Sequence, residues 1–104
     1  MIKLTVLYGH PENPEAFEGY YASKHLPLAQ KIPNVERFEV GRVSSVNEGE
    51  EPPHYRIAEL WFESAERMGE ALSSPEGEAA TGDLQNFATG GATFFVSVVS
   101  EVEA

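Results

Sequence analysis

Four stretches of this chain alternate with a period of two, and their order among two helical stretches leaves few folds open. Ile2 to Tyr8 places Ile2, Leu4, Val6 and Tyr8 on one face and Lys3, Thr5 and Leu7 on the other; Val35 to Val46, Tyr55 to Glu63 and Ala92 to Val102 read as strands in the same way. Gly9-His10-Pro11 ends the first strand, and Asn13-Pro14 is a helix start, a capping side chain followed by a ring suited to the first helical position. Phe17, Tyr21, His25, Leu28 and Ile32 then form one apolar stripe. Pro27 lacks a backbone donor, which predicts a kink or a restarted turn just after His25, and Pro33-Asn34 closes the segment. Ser64 caps a second helix carrying Met68, Ala71 and Leu72, and Ser74-Pro75 restarts helical structure through Ala79 and Ala80. Asn47 to Pro53 is an acidic loop, and Asn86 to Gly91 a glycine-bearing one.

The order is β-α-β-β-α-β, which predicts an α+β domain of ferredoxin-like topology spanning residues 1–104. Its crossovers put both helices on the same face of a four-stranded antiparallel sheet. The helix-facing side is expected to carry Leu4, Val6, Tyr8, Phe38, Val40, Ala58, Leu60, Phe62, Phe94, Val96 and Val98. The opposite side carries Lys3, Thr5, Leu7, Arg37, Glu39, Tyr55, Ile57, Glu59, Trp61, Thr93, Phe95 and Val99. Leaving Ile57, Trp61 and Phe95 in water would forgo roughly 1.5–3 kcal/mol of burial each. That predicts a homodimer in which two sheets stack these faces, a dimeric α/β barrel with two-fold symmetry. Glu59 is expected to pair with Arg37 or Lys3, and Arg37 with Glu39 or Glu59.

Charge narrows the partners. Seventeen acidic side chains against seven basic ones leave a formal net charge of −10, which repels phosphate backbones and anionic lipid, so neither nucleic acid nor membrane is expected. No cysteine is present, so disulfides, thiol nucleophiles and thiolate metal sites are out. No apolar run approaches the ~20 residues of a membrane span. The first residues alternate like a strand and lack the basic region and apolar core of a signal peptide, so the expected location is the cytoplasm.

The segments LTVLYGHPENPEAFEGYYASKHLPLA (4–29), YRIAELWFES (55–64) and SSPEGEAATGDLQNFATGGATFFV (73–96) resemble the EthD family, within the dimeric α/β-barrel group of ferredoxin-like proteins. The His-x-Pro after a tyrosine pair in YYASKHLPLA and the loop NFATGGAT carry the match. The family is named for a gene cluster that degrades an ether fuel additive, so the resemblance implies a place in xenobiotic degradation. Neighbouring families on this barrel include cofactor-free aromatic monooxygenases, muconolactone isomerases, polyketide cyclases and haem-handling enzymes, with a small-molecule pocket between sheet and helices. A shared fold does not choose among these chemistries.

His25 is the first candidate for chemistry. It lies on the buried stripe beside the expected kink, it matches the family's H-x-P histidine, and a partly desolvated imidazole suits proton transfer to or from carbon or phenol. The plainer reading is a histidine that bonds a carbonyl and packs. Tyr8 ends the first strand on the helix side, where its hydroxyl could orient a phenol or carbonyl or stabilise an enolate. Tyr21, Phe38, Leu60, Phe62 and Phe94 are expected to form the substrate-binding wall or plain core. His10 and His54 lack convergent partners, and neither HxH nor HExxH spacing appears, so no metal is expected. No cofactor is indicated; haem through His25 is conceivable only because relatives of the fold use it. The expected function is a cofactor-independent oxidoreductase, isomerase or cyclase acting on a small hydrophobic or aromatic metabolite. The alternative is a non-catalytic protein that binds such a metabolite or assists a partner enzyme.

Overall fold

A computed structural model describes residues 1–103. It contains β1 (Ile2–Tyr8), α1 (Pro14–Tyr20), a π-helical turn (Tyr21–His25), α2 (Leu26–Ala29), β2 (Arg37–Arg42), β3 (Arg56–Phe62), α3 (Ala65–Ser73), α4 (Pro75–Asp83), a short 3₁₀ turn (Leu84–Asn86) and β4 (Ala92–Val98). The strands form one antiparallel sheet in the order β2-β3-β1-β4, the ferredoxin-like arrangement the sequence predicts. β1 is central: Val6 faces Ala58 on one neighbour and Phe94 on the other. Among the described residues no helix is long and apolar enough to cross a membrane.

Local chemistry accounts for the helix starts. The side chain of Asn13 accepts from the Ala16 N–H, that of Ser64 from Arg67, and that of Ser74 from Gly77; Pro14 and Pro75 follow two of these caps. Asn34 ends the first helical segment in the left-handed region at φ 66°, where a short amide side chain is tolerated, and its Nδ2 donates to the Arg67 carbonyl 3.0 Å away. At the other end of β1, Gly9 and Gly90 touch backbone to backbone. A Cβ on Gly9 would strike the Gly90 carbonyl oxygen, and one on Gly90 would strike that of His10. The two loops that contain them are thereby locked together, with the Glu12 N–H donating to Thr89 Oγ1.

Several expectations need correction. The edge strands are shorter than the alternation predicts: β2 covers Arg37–Arg42 rather than Val35 to Val46, and β4 ends at Val98 rather than Val102. Single bonds run one residue past these ends, from the Glu36, Val43 and Val99 N–H groups, but the paired ladder does not continue, while alternation in the sequence does. The helix layer covers only the two central strands. Leu4, Val6, Tyr8, Ala58, Leu60 and Phe62 are buried, but the helix-facing residues of the margins are not: Val40 is 41% exposed, Phe94 48%, Val96 55% and Val98 79%. Tyr55 belongs to the opposite face by parity, yet it is buried against Phe17 (ring centroids 5.1 Å apart). Its N–H bonds to the carbonyl of Tyr8, which is the register partner of Arg56, so the pairing is offset by one residue where β3 begins and the alternation breaks there.

On the other face, Lys3 pairs with Glu59 (2.9 Å) and Arg37 with Glu39 (2.7 Å), within the set of pairs expected. Both cations also lie over the Trp61 ring, at 5.5 and 4.9 Å from its centroid.

Candidate functional site

The first helical segment is built around a register problem. Its buried residues are Phe17, Tyr21, His25 and Ala29, a uniform spacing of four. Steps of four in a regular α-helix overshoot one turn by about 40°, so such a stripe would drift off the sheet. The π-helical turn corrects this by widening one turn: the N–H of Leu26 reaches the Tyr21 carbonyl, five residues back. Pro27 makes that turn tolerable, because it has no N–H to donate and its ring disfavours a regular turn over Ser23. The widened turn spans Tyr21–His25 and regular helix restarts at Leu26, just after His25 as expected; the shifted register brings Ala29, not the half-buried Leu28, onto the stripe.

The result aims His25 inward. The ring is 6% exposed, stacks on Tyr21 (centroids 5.6 Å) and lies 4.6 Å from the Phe87 ring. Its Nδ1 is 3.0 Å from Oδ2 of Asp83, the last residue of α4, itself 7% exposed. Oδ1 of Asp83 accepts from the Tyr20 hydroxyl at 2.6 Å and from Asn86 Nδ2 at 2.9 Å. Burial pushes the carboxyl pKa up, but the bonds from Tyr20, Asn86 and His25 outweigh it and hold Asp83 below the usual carboxylate range. Burial dominates at His25 and pushes its pKa below the ordinary 6.5, against the opposing pull of Asp83. The pair is therefore a neutral imidazole and an ionised carboxylate. A carboxylate only accepts, so the imidazole proton sits on Nδ1 and the lone pair on Nε2.

His25, Tyr8, Tyr21, Phe38, Leu60 and Phe94 border one apolar niche between the helices and the sheet. Phe62 does not border it; it is fully enclosed beneath the helix layer. The niche holds about 50 Å³, and through Leu4, Leu72, Thr81 and Phe94 it adjoins an open cleft of about 560 Å³ between α4 and β4. The exposed margin of β4 is one wall of that cleft. Burial pushes the Tyr8 phenol far above its ordinary pKa and that of Tyr21 up to about 12, partly offset there by the Arg56 guanidinium 4.8 Å above the ring. Both are neutral hydroxyls at physiological pH. Arg56 is held by Glu18 through a two-pronged contact, Nη2 to Oε1 at 2.6 Å and Nε to Oε2 at 3.1 Å, and Glu18 also accepts from the Tyr55 hydroxyl.

Asp83, Tyr20 and Asn86 escape the sequence reading. One signal was available: a carboxylate in the last turn of a helix opposes the helix dipole and needs another reason to be there. His10 lies apart from the site and ties down the acidic loop, its Nε2 2.7 Å from the Pro52 carbonyl and its Nδ1 3.4 Å from Glu51. Among the described residues no group of three or more potential ligands is placed to hold a metal ion.

The EthD domain family matches residues 10–91. A curated relative, an uncharacterised 11.0 kDa protein of Rhodococcus erythropolis from the thcB–thcC intergenic region, is 47% identical over 93 residues, 89% of each chain. The crystal structure of an EthD family protein from Bacillus halodurans superposes with a TM-score of 0.89 at 30% identity, covering 96% of this chain and 99% of that one. SnoaB, a cofactor-independent oxygenase from Streptomyces nogalater, shares the fold at a TM-score of 0.65 and 14% identity, over 97% of this chain and 93% of that one.

Proposed function

This chain belongs to the EthD family, and from that premise we propose that it is a cofactor-independent enzyme that moves a proton on a small hydrophobic metabolite. The observation that carries the reading is His25 itself: Nδ1 is committed to Asp83, so the Nε2 lone pair is the basic atom of a residue that borders an apolar niche. Nε2 takes a proton from an activated C–H or O–H. The C–H or O–H bond breaks, an N–H bond forms, and the electron pair passes to the substrate oxygen, where the Tyr8 hydroxyl stabilises the developing charge. Asp83 stabilises the imidazolium that results. Returning the proton to a different carbon completes an isomerisation. Addition of dioxygen to the same carbanion would instead form a C–O bond and a peroxide that takes the proton from His25, an oxygenase course; SnoaB, which shares the fold, is a cofactor-independent oxygenase.

The protein acts as a dimer stacked through the sheet face that bears Ile57, Trp61 and Phe95. That arrangement buries Phe95, 50% exposed in the single chain, and leaves the cleft open on the other side of the sheet.

The test is deuterium incorporation from heavy water into a panel of phenols, lactones and cyclic ketones, with oxygen uptake followed in parallel. Asp83→Asn and His25→Gln should each slow exchange by about 10²–10⁴-fold. The rate should rise with pH through a pKa below 6.5. Compounds that bind without exchanging or taking up oxygen would refute catalysis and leave a metabolite-binding accessory protein.

A further inference from the structure

We infer that the ligand of this cleft is an uncharged molecule whose single oxygen function enters the inner niche to meet the Tyr21 hydroxyl, while its apolar body lies between α4 and β4. The inference rests on the reading above for the location of the site, but not on any reaction there. Size comes first. An aromatic ring needs a cavity of roughly 150 Å³, and the niche beside His25 holds about 50 Å³. Only a small head group fits inside. The adjoining cleft, about 560 Å³ between Leu72, Gly82, Phe94 and Val96, has room for the remainder.

Polarity comes next. The Tyr21 residue is 2% exposed and borders the niche, and among the described residues its hydroxyl proton meets no acceptor. The Tyr8 hydroxyl lies near enough to raise its own pKa and lower that of Tyr21, the sense of a weak bond donated by Tyr8; such a bond occupies the Tyr21 oxygen and leaves the Tyr21 proton without an acceptor. A buried O–H without an acceptor is costly, and native proteins seldom keep one without a use. Of the other polar groups at the niche, Thr81 already donates to the Gly77 carbonyl, the Tyr8 hydroxyl can donate or accept, and His25 Nε2 is an acceptor. A carbonyl or hydroxyl oxygen on the ligand satisfies Tyr21.

Charge decides the class. Among the described residues no lysine or arginine borders the niche or the cleft, and the one charged side chain there is Glu78, exposed at the rim. Arg56, whose guanidinium lies 4.8 Å from the Tyr21 ring centroid, is already matched by Glu18 and lines neither the niche nor the cleft. His25 is neutral, and the anion Asp83 stands directly behind it. A carboxylate placed here would lose its water and gain no counter-charge, which is prohibitive. Neutral ketones, lactones and phenols are admitted, and aromatic acids are rejected.

The experiment is an NMR titration of the intact protein near neutral pH with acetophenone, its oxygen-free analogue ethylbenzene, and its anionic analogue benzoate. Wild type should bind acetophenone saturably with shifts at the cleft, and benzoate at least about tenfold more weakly. Tyr21→Phe should weaken acetophenone by about three- to tenfold and leave ethylbenzene within about twofold. Because it deletes a hydroxyl whose proton has no acceptor, Tyr21→Phe should also raise the melting temperature of the free protein. Benzoate binding as well as acetophenone would overturn the selectivity. Equal effects of Tyr21→Phe on acetophenone and ethylbenzene, or a lowered melting temperature, would overturn the role of its hydroxyl. Failure of acetophenone to bind at millimolar concentration would overturn both. None of these readouts needs turnover: the expected pattern without His25-dependent exchange would remove the catalytic proposal alone, and exchange on carboxylates would remove this one alone.

Discussion

Asp83→Asn isolates the interaction on which the site depends. In the wild type the carboxylate accepts three hydrogen bonds, from Tyr20, Asn86 and His25, at 2.6, 2.9 and 3.0 Å. The amide keeps one acceptor oxygen for Tyr20 and Asn86 but turns an N–H₂ toward His25. Two donors cannot face each other, so the imidazole proton must move to Nε2 and Nδ1 must become the acceptor. Bonds to a charged group contribute about 1.5–3 kcal/mol and neutral ones about 0.5–1.5 kcal/mol, so three bonds lose about 3 kcal/mol; relief from burying a charge returns part of it, leaving a loss of about 2 kcal/mol. For a domain of this size that lowers Tm by about 10 °C. Urea unfolding gives the energy, and ¹⁵N-detected imidazole spectra give the tautomer: Nδ1–H in the wild type and Nε2–H in the variant. The pH dependence has a definite sign. His25 has its folded pKa below 6.5, so its stabilising contribution is complete above 6.5 and is lost as pH falls from there toward the folded value. Asp83 adds a second loss as pH falls below 3.8 through its own depressed pKa. In the variant the second loss disappears, and the first extends to lower pH because His25 no longer has a carboxylate to raise its pKa. A His25 pKa above 6.5 in the wild type, an unchanged tautomer, or a stability change under about 0.5 kcal/mol would refute the reasoning.

Three further outcomes follow from the fold. Gly9→Ala should cost about 3 kcal/mol or more, because its methyl meets the Gly90 backbone carbonyl, whereas Gly69→Ala, in open space on α3, should gain about 0.5–1 kcal/mol; chemical denaturation compares the two. Arg56→Met should cost about 1–2 kcal/mol, discounted because Glu18 is one-third exposed, and it should bring the Glu18 pKa back toward 4.5 in an NMR titration. If the proposed sheet-face dimer forms, the wild type should sediment as a dimer in analytical ultracentrifugation and Trp61→Glu together with Phe95→Glu as a monomer; an unchanged mass would rule out the sheet face as the interface.

The topology was legible in the chain because period-two alternation and capping residues act locally. Asn13, Ser64 and Ser74 stand within three residues of the N–H groups they cap, and strands β1 and β3 lie within a residue of where their alternation begins and ends. His25 and its tyrosines were legible for the same reason, since a stripe on one helix is written in one stretch of sequence. What the sequence could not determine was set by approach between distant segments. Asp83 reaches His25 across 58 positions of chain, and Glu18 reaches Arg56 across 38. No local pattern records which buried carboxylate will find which donor. The uncovered margin of β4 is of the same kind: alternation marks Phe94 and Val96 for a helix face, but two short helices are too narrow to cover four strands. Tertiary packing alone therefore decided that the candidate site is a small, largely apolar niche, with the His25–Asp83 pair at its wall, that adjoins a wide apolar cleft.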